Sequence, residues 1–129
     1  MAYVSLDSDQ IKKAHKKHKY SKSQVEQLEK CMDEKSGPLY FMKTFMKIQH
    51  PTKGEMPFEP YPYQERLIEA YNSHRFSISM LPRQTGKTTC ASGYLIWYAM
   101  FKPDSQILIA AHKYAGASDI MSRVRYAYE

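Results

Sequence analysis

Apolar residues recur at helical spacing in the first part of the chain and predict three helices. The first begins near Ser23, because Ser23-Gln24-Val25-Glu26 has the form of a capping box, and Ser36-Gly37-Pro38 ends it. The second is predicted over 39–49, where His50-Pro51 follows, and the third has its apolar face over 63–71. The positions that define these faces are Val25, Leu28, Met32, Phe41, Met42, Phe45, Met46, Ile48, Tyr63, Leu67, Ile68 and Tyr71.

The second part of the chain has the pattern of an α/β protein. Residues 75–81 alternate apolar side chains with small polar ones, which predicts a strand, and 106–111 form a short apolar run typical of a buried parallel strand. Helices are predicted over 88–101 and 115–128. The order strand, loop, helix, strand, helix predicts an α/β fold with a parallel sheet.

Changes in composition along the chain suggest three regions. Residues 1–22 are polar and lysine-rich, and are expected to be a flexible arm or a marginal helix. Residues 23–60 form a helical N-terminal segment whose end is a stiff connector, since the prolines at 51, 57, 60 and 62 crowd this stretch. Residues 61–129 contain the α/β pattern.

Composition excludes several classes of protein. The chain has 129 residues, of which 43% are hydrophobic and 25% charged, as in ordinary globular domains. Two cysteines are too few for a disulfide scaffold, and no secretory signal is visible at the start. The longest apolar run, 94–101, is far shorter than the ~20 residues that span a bilayer. We therefore expect a cytosolic, reduced protein without a membrane partner.

The net charge of +6 comes from one short segment. Residues 10–22 contain six lysines and no acidic residue, whereas the remaining 13 basic residues balance the 13 acidic ones. Such a segment can hold the phosphates of a nucleic acid, and it can equally be a solvated helix face or a disordered arm. Charge alone leaves these alternatives open.

The candidate chemistry lies between the first predicted strand and the helix after it. Gly86-Lys87-Thr88 in this position has the context of a phosphate-binding loop, although Leu81 stands where the usual pattern has a first glycine. Amides at a helix start attract anions, Lys87 supplies a charge to the β and γ phosphates, and the Thr88 hydroxyl can ligate Mg²⁺. Arg83 can reach the γ-phosphate. The predicted nucleotide-binding residues are Pro82, Arg83, Gln84, Thr85, Gly86, Lys87, Thr88 and Thr89.

Gln64 lies 23 residues before Lys87 and is a candidate for base recognition. A glutamine amide can both donate to and accept from the N6/N7 edge of adenine, which would select ATP over GTP. An aromatic ring at Phe58, Tyr61 or Tyr63 could stack on the base. Taken alone, Gln64 could as well be an ordinary residue on a helix surface, and Arg83 an ordinary arginine in a turn.

Several of these elements together resemble a known family. The segment 82–89 resembles the variant phosphate loop of the large terminase subunit of tailed bacteriophages, which tends to have an early arginine and to lack the first glycine. Tyr63-Gln64 resembles its adenine-recognition element, 107–113 its second conserved strand, and 117–123 the start of the following helix. The likeness covers about 23–129 and is closest to the subunits of contractile-tailed phages.

The resemblance implies a P-loop NTPase of the RecA/ASCE-like type, of which 61–129 would be the N-terminal portion, with an incomplete parallel sheet. It implies a motor that uses ATP and Mg²⁺ to package double-stranded viral DNA through the portal protein, with a small terminase subunit as partner. The full-length protein would form a homo-oligomeric ring in the host cytoplasm, transiently at the procapsid portal, and would carry a C-terminal nuclease. Carried over, Gln64 recognises adenine, while Arg83 and Lys87 are the catalytic residues and Thr88 holds Mg²⁺ through the nucleotide.

Hydrolysis also needs carboxylates that this sequence lacks. A second acidic residue must help to hold Mg²⁺ and another must orient the attacking water, commonly as Asp-Glu at the end of an apolar strand. Asp33-Glu34 lies upstream in a charged helix, and neither Asp104, Asp119 nor Glu129 follows an apolar strand. In the family's sheet, later strands separate the two predicted here. We therefore expect the N-terminal part of a longer protein, which alone binds nucleotide weakly and does not hydrolyse it.

Two alternative functions stay open at this level. The first motor lobe of a superfamily-2 helicase or translocase shares the glutamine, the phosphate loop and the following strand, although Arg83 favours the terminase. A non-catalytic module that binds DNA or a partner through the basic arm and the N-terminal helices is the other.

Overall fold

Five helices and one antiparallel hairpin form the part of the chain that a computed structural model describes, residues 20–50 and 52–128. The predicted basic arm, 1–22, falls outside it except for its last three residues. The elements in chain order are α1 (Lys22–Met32), α2 (Gly37–Phe45), β1 (Lys47–His50), β2 (Gly54–Pro57), α3 (Pro62–Ser73), α4 (Lys87–Phe101) and α5 (Tyr114–Tyr128).

α1 begins earlier than the capping pattern at Ser23 predicts. The Ser21 hydroxyl accepts a hydrogen bond from the Gln24 amide at 3.3 Å, and the Gln24 side chain accepts one from the Ser21 amide at 2.9 Å. Serine and glutamine therefore form the capping box two residues upstream of the expected one, because glutamine can reach back as glutamate does.

The second predicted helix, 39–49, is wrong in its last turn. α2 ends at Phe45, and β1 pairs with β2 in the register Lys47↔Pro57, Ile48↔Met56 and His50↔Gly54. Met46 is extended (ψ 132°), and its carbonyl accepts a hydrogen bond from the Phe58 amide at 3.0 Å. Ile48 continues the helical spacing of Phe41 and Phe45, and it also lies two residues from Met46, as on one side of an extended chain, so the apolar pattern fits both structures.

α4 is the central helix of the described core. It packs against α2, α3 and α5, and Trp97 is buried in it with its indole N–H donating to the Cys31 carbonyl at 2.7 Å. The close approach to α2 depends on Gly93, where an added Cβ would lie 2.5 Å from the Met42 methyl carbon. The small residues of α4 thus pack on another helix, and not on the predicted sheet.

The predicted parallel sheet is absent from the described residues. Neither 75–81 nor 106–111 is a strand, and Phe76, Ile78 and Met80 are 82%, 98% and 95% exposed. An alternating pattern favours an extended chain, but a strand needs a second backbone to pair with, and within 20–50 and 52–128 none pairs with either segment. The described fold is therefore mixed α/β with a helical core and one small antiparallel sheet.

None of the helices in the described ranges is long and apolar enough to cross a membrane.

Candidate functional site

The predicted phosphate loop leads directly into α4. Lys87 is the first residue of the helix, and Gly86 before it has left-handed backbone angles (φ 73°, ψ 13°). The first helical hydrogen bond runs from the Cys90 amide to the Gly86 carbonyl at 2.9 Å. The amides of 87–89 precede that bond and are free of intrahelical partners, so they and the helix dipole favour an anion at this end.

The loop is held to the start of α3 through one carbonyl group. The Tyr63 hydroxyl donates to the Thr85 carbonyl oxygen at 2.9 Å, and the Gln64 side-chain N–H donates to the same oxygen at 3.0 Å. Within the loop, the Thr85 hydroxyl donates to the Pro82 carbonyl at 3.0 Å. We call Tyr63 and Gln64 together the clasp.

Both ends of the Gln64 amide are engaged by backbone. Its oxygen accepts a hydrogen bond from the Tyr61 amide at 2.9 Å, while its nitrogen donates to Thr85, and the side chain is only 6% exposed. The structure thus brings Gln64 to the predicted phosphate loop, and its burial contradicts the alternative of an ordinary surface residue. The bonds that it makes there are to the protein, and adenine recognition by Gln64 stays a prediction.

The three aromatic candidates for base stacking have different environments. Phe58 is 3% exposed in the core, so its ring is not free to stack on a base. Tyr61 is 65% exposed, and its ring lies parallel to that of Tyr63 with the centroids 5.9 Å apart. Tyr61 is therefore the candidate that presents an open aromatic face near the clasp.

The basic side chains of the loop are open to solvent. Arg83 and Lys87 are exposed, and neither forms a salt bridge with another residue in the described ranges. Thr88 and Thr89, which follow in the first turn of α4, are partly buried. The two unpaired cationic side chains supply positive charge, and the free helix amides supply hydrogen-bond donors. Both suit the anionic oxygens of a polyphosphate.

The acidic residues that hydrolysis needs are not gathered into a cluster. No group of three or more His, Cys, Asp or Glu side chains among the described residues could hold a metal ion. Asp119 is bound to Arg123 at 3.3 Å on α5. The role of the Thr88 hydroxyl as a ligand of Mg²⁺ stays a prediction.

A separate groove of about 590 Å³ lies between β1, α4 and α5. Thr89 is the one residue of the predicted nucleotide site that lines it, together with Ser92, Ser122, Arg123 and others. The buried Ser92 hydroxyl has no hydrogen-bond partner within the described part of the chain. The phosphate loop and this groove are thus largely different surfaces.

Both cysteines are buried, which makes them poor nucleophiles. Burial raises the pKa of the Cys90 thiol to about 11 and also raises the pKa of the Cys31 thiol. At neutral pH both are protonated thiols, whereas the thiolate is the reactive form. This agrees with the expectation that Cys90 is a small buried residue.

No known protein-family model matches this chain. The interpretation of the site therefore depends on its residues and geometry. The sequence points to the loop and to Gln64 but does not predict the bond from the Tyr63 hydroxyl to Thr85, because it offers Tyr63 as part of an apolar helix face and as a ring near the base. The polar end of an aromatic residue next to Gln64 was the one available signal.

Proposed function

We propose that the chain is the ATP-binding part of a DNA-packaging motor of the terminase large-subunit type. The observation that carries this proposal is the loop itself: Gly86 in a left-handed conformation directly precedes α4, and the clasp holds the carbonyl before it. A glycine at that position allows the backbone to approach phosphate oxygens closely. The order of Gln64, Arg83 and Gly86-Lys87-Thr88 in the sequence connects this geometry with the terminase resemblance.

Each loop residue has a distinct role in this proposal. The amides of 86–89 and the N-terminus of α4 bind the phosphates, and the Lys87 ammonium balances charge on the β and γ groups. Arg83 binds the γ-phosphate and signals its loss, because a guanidinium fork bonds two phosphate oxygens at once. Mg²⁺, carried by the nucleotide and held by Thr88, would neutralise charge that develops on the phosphates.

The proposal includes a parallel sheet that is larger than the described fold. In this proposed sheet, 75–81 and 106–111 are strands that do not pair with each other. At least one more strand, contributed by another stretch of polypeptide, lies between them. Supporting this, each segment directly precedes the loop or helix that a P-loop fold places after a strand, and Ile78 and Leu108 are 98% and 92% exposed. Phe76 and Met80 beside Ile78 are also exposed, and several open apolar side chains on one segment are typical of a surface that another element covers.

The activity of the whole motor belongs to the same proposal. It would act on double-stranded viral DNA at the portal protein, with the small terminase subunit, as a homo-oligomeric ring in the host cytoplasm. The carboxylates that position Mg²⁺ and water would come from the polypeptide that completes the sheet, because hydrolysis requires them and the loop holds none.

Titration of the isotope-labelled chain with MgATP, followed by amide NMR, tests nucleotide binding and suits weak affinities. We expect the resonances of 82–89 to shift, and Lys87→Ala to weaken binding roughly ten- to a hundredfold, since a charged hydrogen bond contributes about 1.5–3 kcal/mol. Lys53→Ala is the matched control, because Lys53 lies in the turn between β1 and β2, outside the loop.

Absence of shifts at 82–89, or equal binding by the Lys87→Ala chain, would contradict the proposal. DNA binding that falls with salt and survives Lys87→Ala, in a chain that binds no nucleotide, would favour the non-catalytic module.

A further inference from the structure

We infer that Tyr63 and Gln64 act as positioning residues that set the direction of a phosphate-binding amide by anchoring the Thr85 carbonyl. The inference rests on the proposed function and deepens it. It assigns the two side chains to recognition of the phosphate chain, whatever base the nucleotide carries.

The first step is the chemistry of the anchored group. A carbonyl oxygen has two lone pairs, and the Tyr63 hydroxyl and the Gln64 amide donate to the Thr85 oxygen at 2.9 and 3.0 Å. These donors come from the first turn of α3, 22 and 21 residues before Thr85 in sequence. The carbonyl is thus fixed toward α3 by two bonds from one rigid helix.

The second step follows from the planarity of the peptide bond. The Thr85 carbonyl and the Gly86 N–H belong to one trans peptide unit, in which they point in opposite directions. Anchoring the oxygen toward α3 therefore turns the Gly86 N–H away from α3. It also keeps the negative end of the Thr85 carbonyl dipole directed at α3, where it is neutralised by donors and cannot repel phosphate oxygens.

The third step concerns the orientation of the Gln64 amide. Its oxygen accepts from the Tyr61 amide at 2.9 Å, which fixes its nitrogen on the side of Thr85. Turning the amide over would place two acceptors against each other at Thr85 and two donors at Tyr61. Because the side chain is buried, water cannot compensate for that mismatch.

Binding of three probes to the full chain separates positioning from base recognition: MgATP, MgGTP and inorganic tripolyphosphate with Mg²⁺. Tyr63→Phe removes only the donating hydroxyl and keeps the ring beside Tyr61. We expect it to weaken binding of all three probes by the same factor, roughly two- to tenfold. Gln64→Glu, which still accepts from the Tyr61 amide but cannot donate to Thr85 as a carboxylate, should weaken all three as well.

Tyr114→Phe is the matched control, because it removes a tyrosine hydroxyl that is exposed on α5, outside the loop and the clasp, and makes no hydrogen bond within the described residues. It should leave tripolyphosphate binding unchanged. A spectroscopic signature accompanies the effect: in the Tyr63→Phe chain without ligand, the Gly86 amide resonance should shift, while the helical circular dichroism stays the same.

The possible failures are distinguishable. If the Tyr63→Phe chain binds tripolyphosphate as tightly as the unsubstituted chain does, the clasp has no positioning role and the inference is wrong, while the nucleotide site stands. If Gln64→Glu weakens MgATP alone, Gln64 reads the base and the inference is equally overturned. If the unsubstituted chain binds none of the three probes, the proposed function itself fails, and the clasp fails with it.

Discussion

Replacing Gly86 by alanine tests the geometry of the loop most directly, because the chain offers a matched control. Gly86 and Gly54 have nearly the same left-handed backbone, with φ of 73° and 74°. An added Cβ at Gly54 meets nothing within 4 Å, whereas at Gly86 it would lie 2.5 Å from the Gln64 side-chain nitrogen. Both substitutions therefore place an alanine in a left-handed conformation, and only Gly86→Ala also forces the Gln64 side chain to move.

The shared cost is that of a left-handed alanine, about 1–2 kcal/mol. It is partly offset in both variants, because alanine also restricts the unfolded chain. At Gly86 the Gln64 amide must in addition withdraw from the new methyl group. Gln64 has a flexible side chain, but it is buried and bonded at both ends, so withdrawal breaks the bond to Thr85. A lost buried hydrogen bond costs about 1–3 kcal/mol, and this is the expected excess of Gly86→Ala over Gly54→Ala.

The free energy of unfolding, measured by urea denaturation and circular dichroism, gives this difference. Repeating both substitutions in a Gln64→Ala chain completes the experiment, since the obstructing amide is then gone and the two glycines should respond alike. Equal destabilisation by Gly86→Ala and Gly54→Ala in the unsubstituted chain would refute the close approach of Gln64 to the loop.

Three further predictions concern the core and the open segment. Trp97→Phe should lower the free energy of unfolding by about 1–3 kcal/mol, measured by circular dichroism, because the buried Cys31 carbonyl loses its donor; an unchanged value would contradict this bond. Since burial raises the pKa of Cys90 from 9.0 to about 11, the unfolded chain releases that proton first, so stability should fall between about pH 9 and 11. In Cys90→Ala that fall should be shallower, and an identical pH profile would count against the burial. Ile78→Lys should change the free energy of unfolding by less than ~0.5 kcal/mol and reduce self-association in sedimentation, because the side chain is 98% exposed; a large destabilisation would show that it packs inside the fold.

Helices were predictable from the sequence because their signals are local. The apolar face of α3 and the start of α4 just after Gly86 each depend on residues within a turn or two. The predicted stop at Ser36-Gly37-Pro38 is wrong, because α1 already ends at Met32 and these residues begin α2, where proline suits the first turn. The errors are local ambiguities of the same kind: a serine and glutamine that cap α1 as well as the expected pair, and Met46, whose apolar neighbours fit a strand as well as a helix.

Strand pairing was not predictable in the same way, because it depends on distant backbone. The alternation at Phe76, Ile78 and Met80 predicts an extended segment, and it contains no information about which strand pairs with it. β1 and β2 show the converse: four residues each with little periodicity pair because a short turn and Gly54 bring them together.

The candidate site likewise has a part that local sequence predicts and a part that depends on residues distant in the chain. The loop could be predicted because its glycine, lysine and threonine are contiguous, whereas the clasp joins residues 21 and 22 positions apart through a backbone carbonyl. Side-chain bonds to backbone leave no pattern in the sequence, since any residue at position 85 would present the same oxygen.

The helical core explains how the loop before α4 can have a fixed position although residues 75–81 and 106–111 are largely exposed. α4, which follows the loop, packs against α2, α3 and α5, and α3 also supplies the clasp that holds Thr85. The helix after the loop and the side chains that hold the loop therefore belong to one packed unit. Residues 75–81 connect α3 to the loop without contributing a buried large side chain other than the half-buried Leu81. Pairing of another strand with 75–81 would therefore add hydrogen bonds to an exposed segment, while the loop that follows it is already held at Thr85 by the clasp. Under the proposed function, nucleotide binding and completion of a parallel sheet would thus be separable, and weak phosphate binding by this chain would be compatible with hydrolysis that needs further carboxylates.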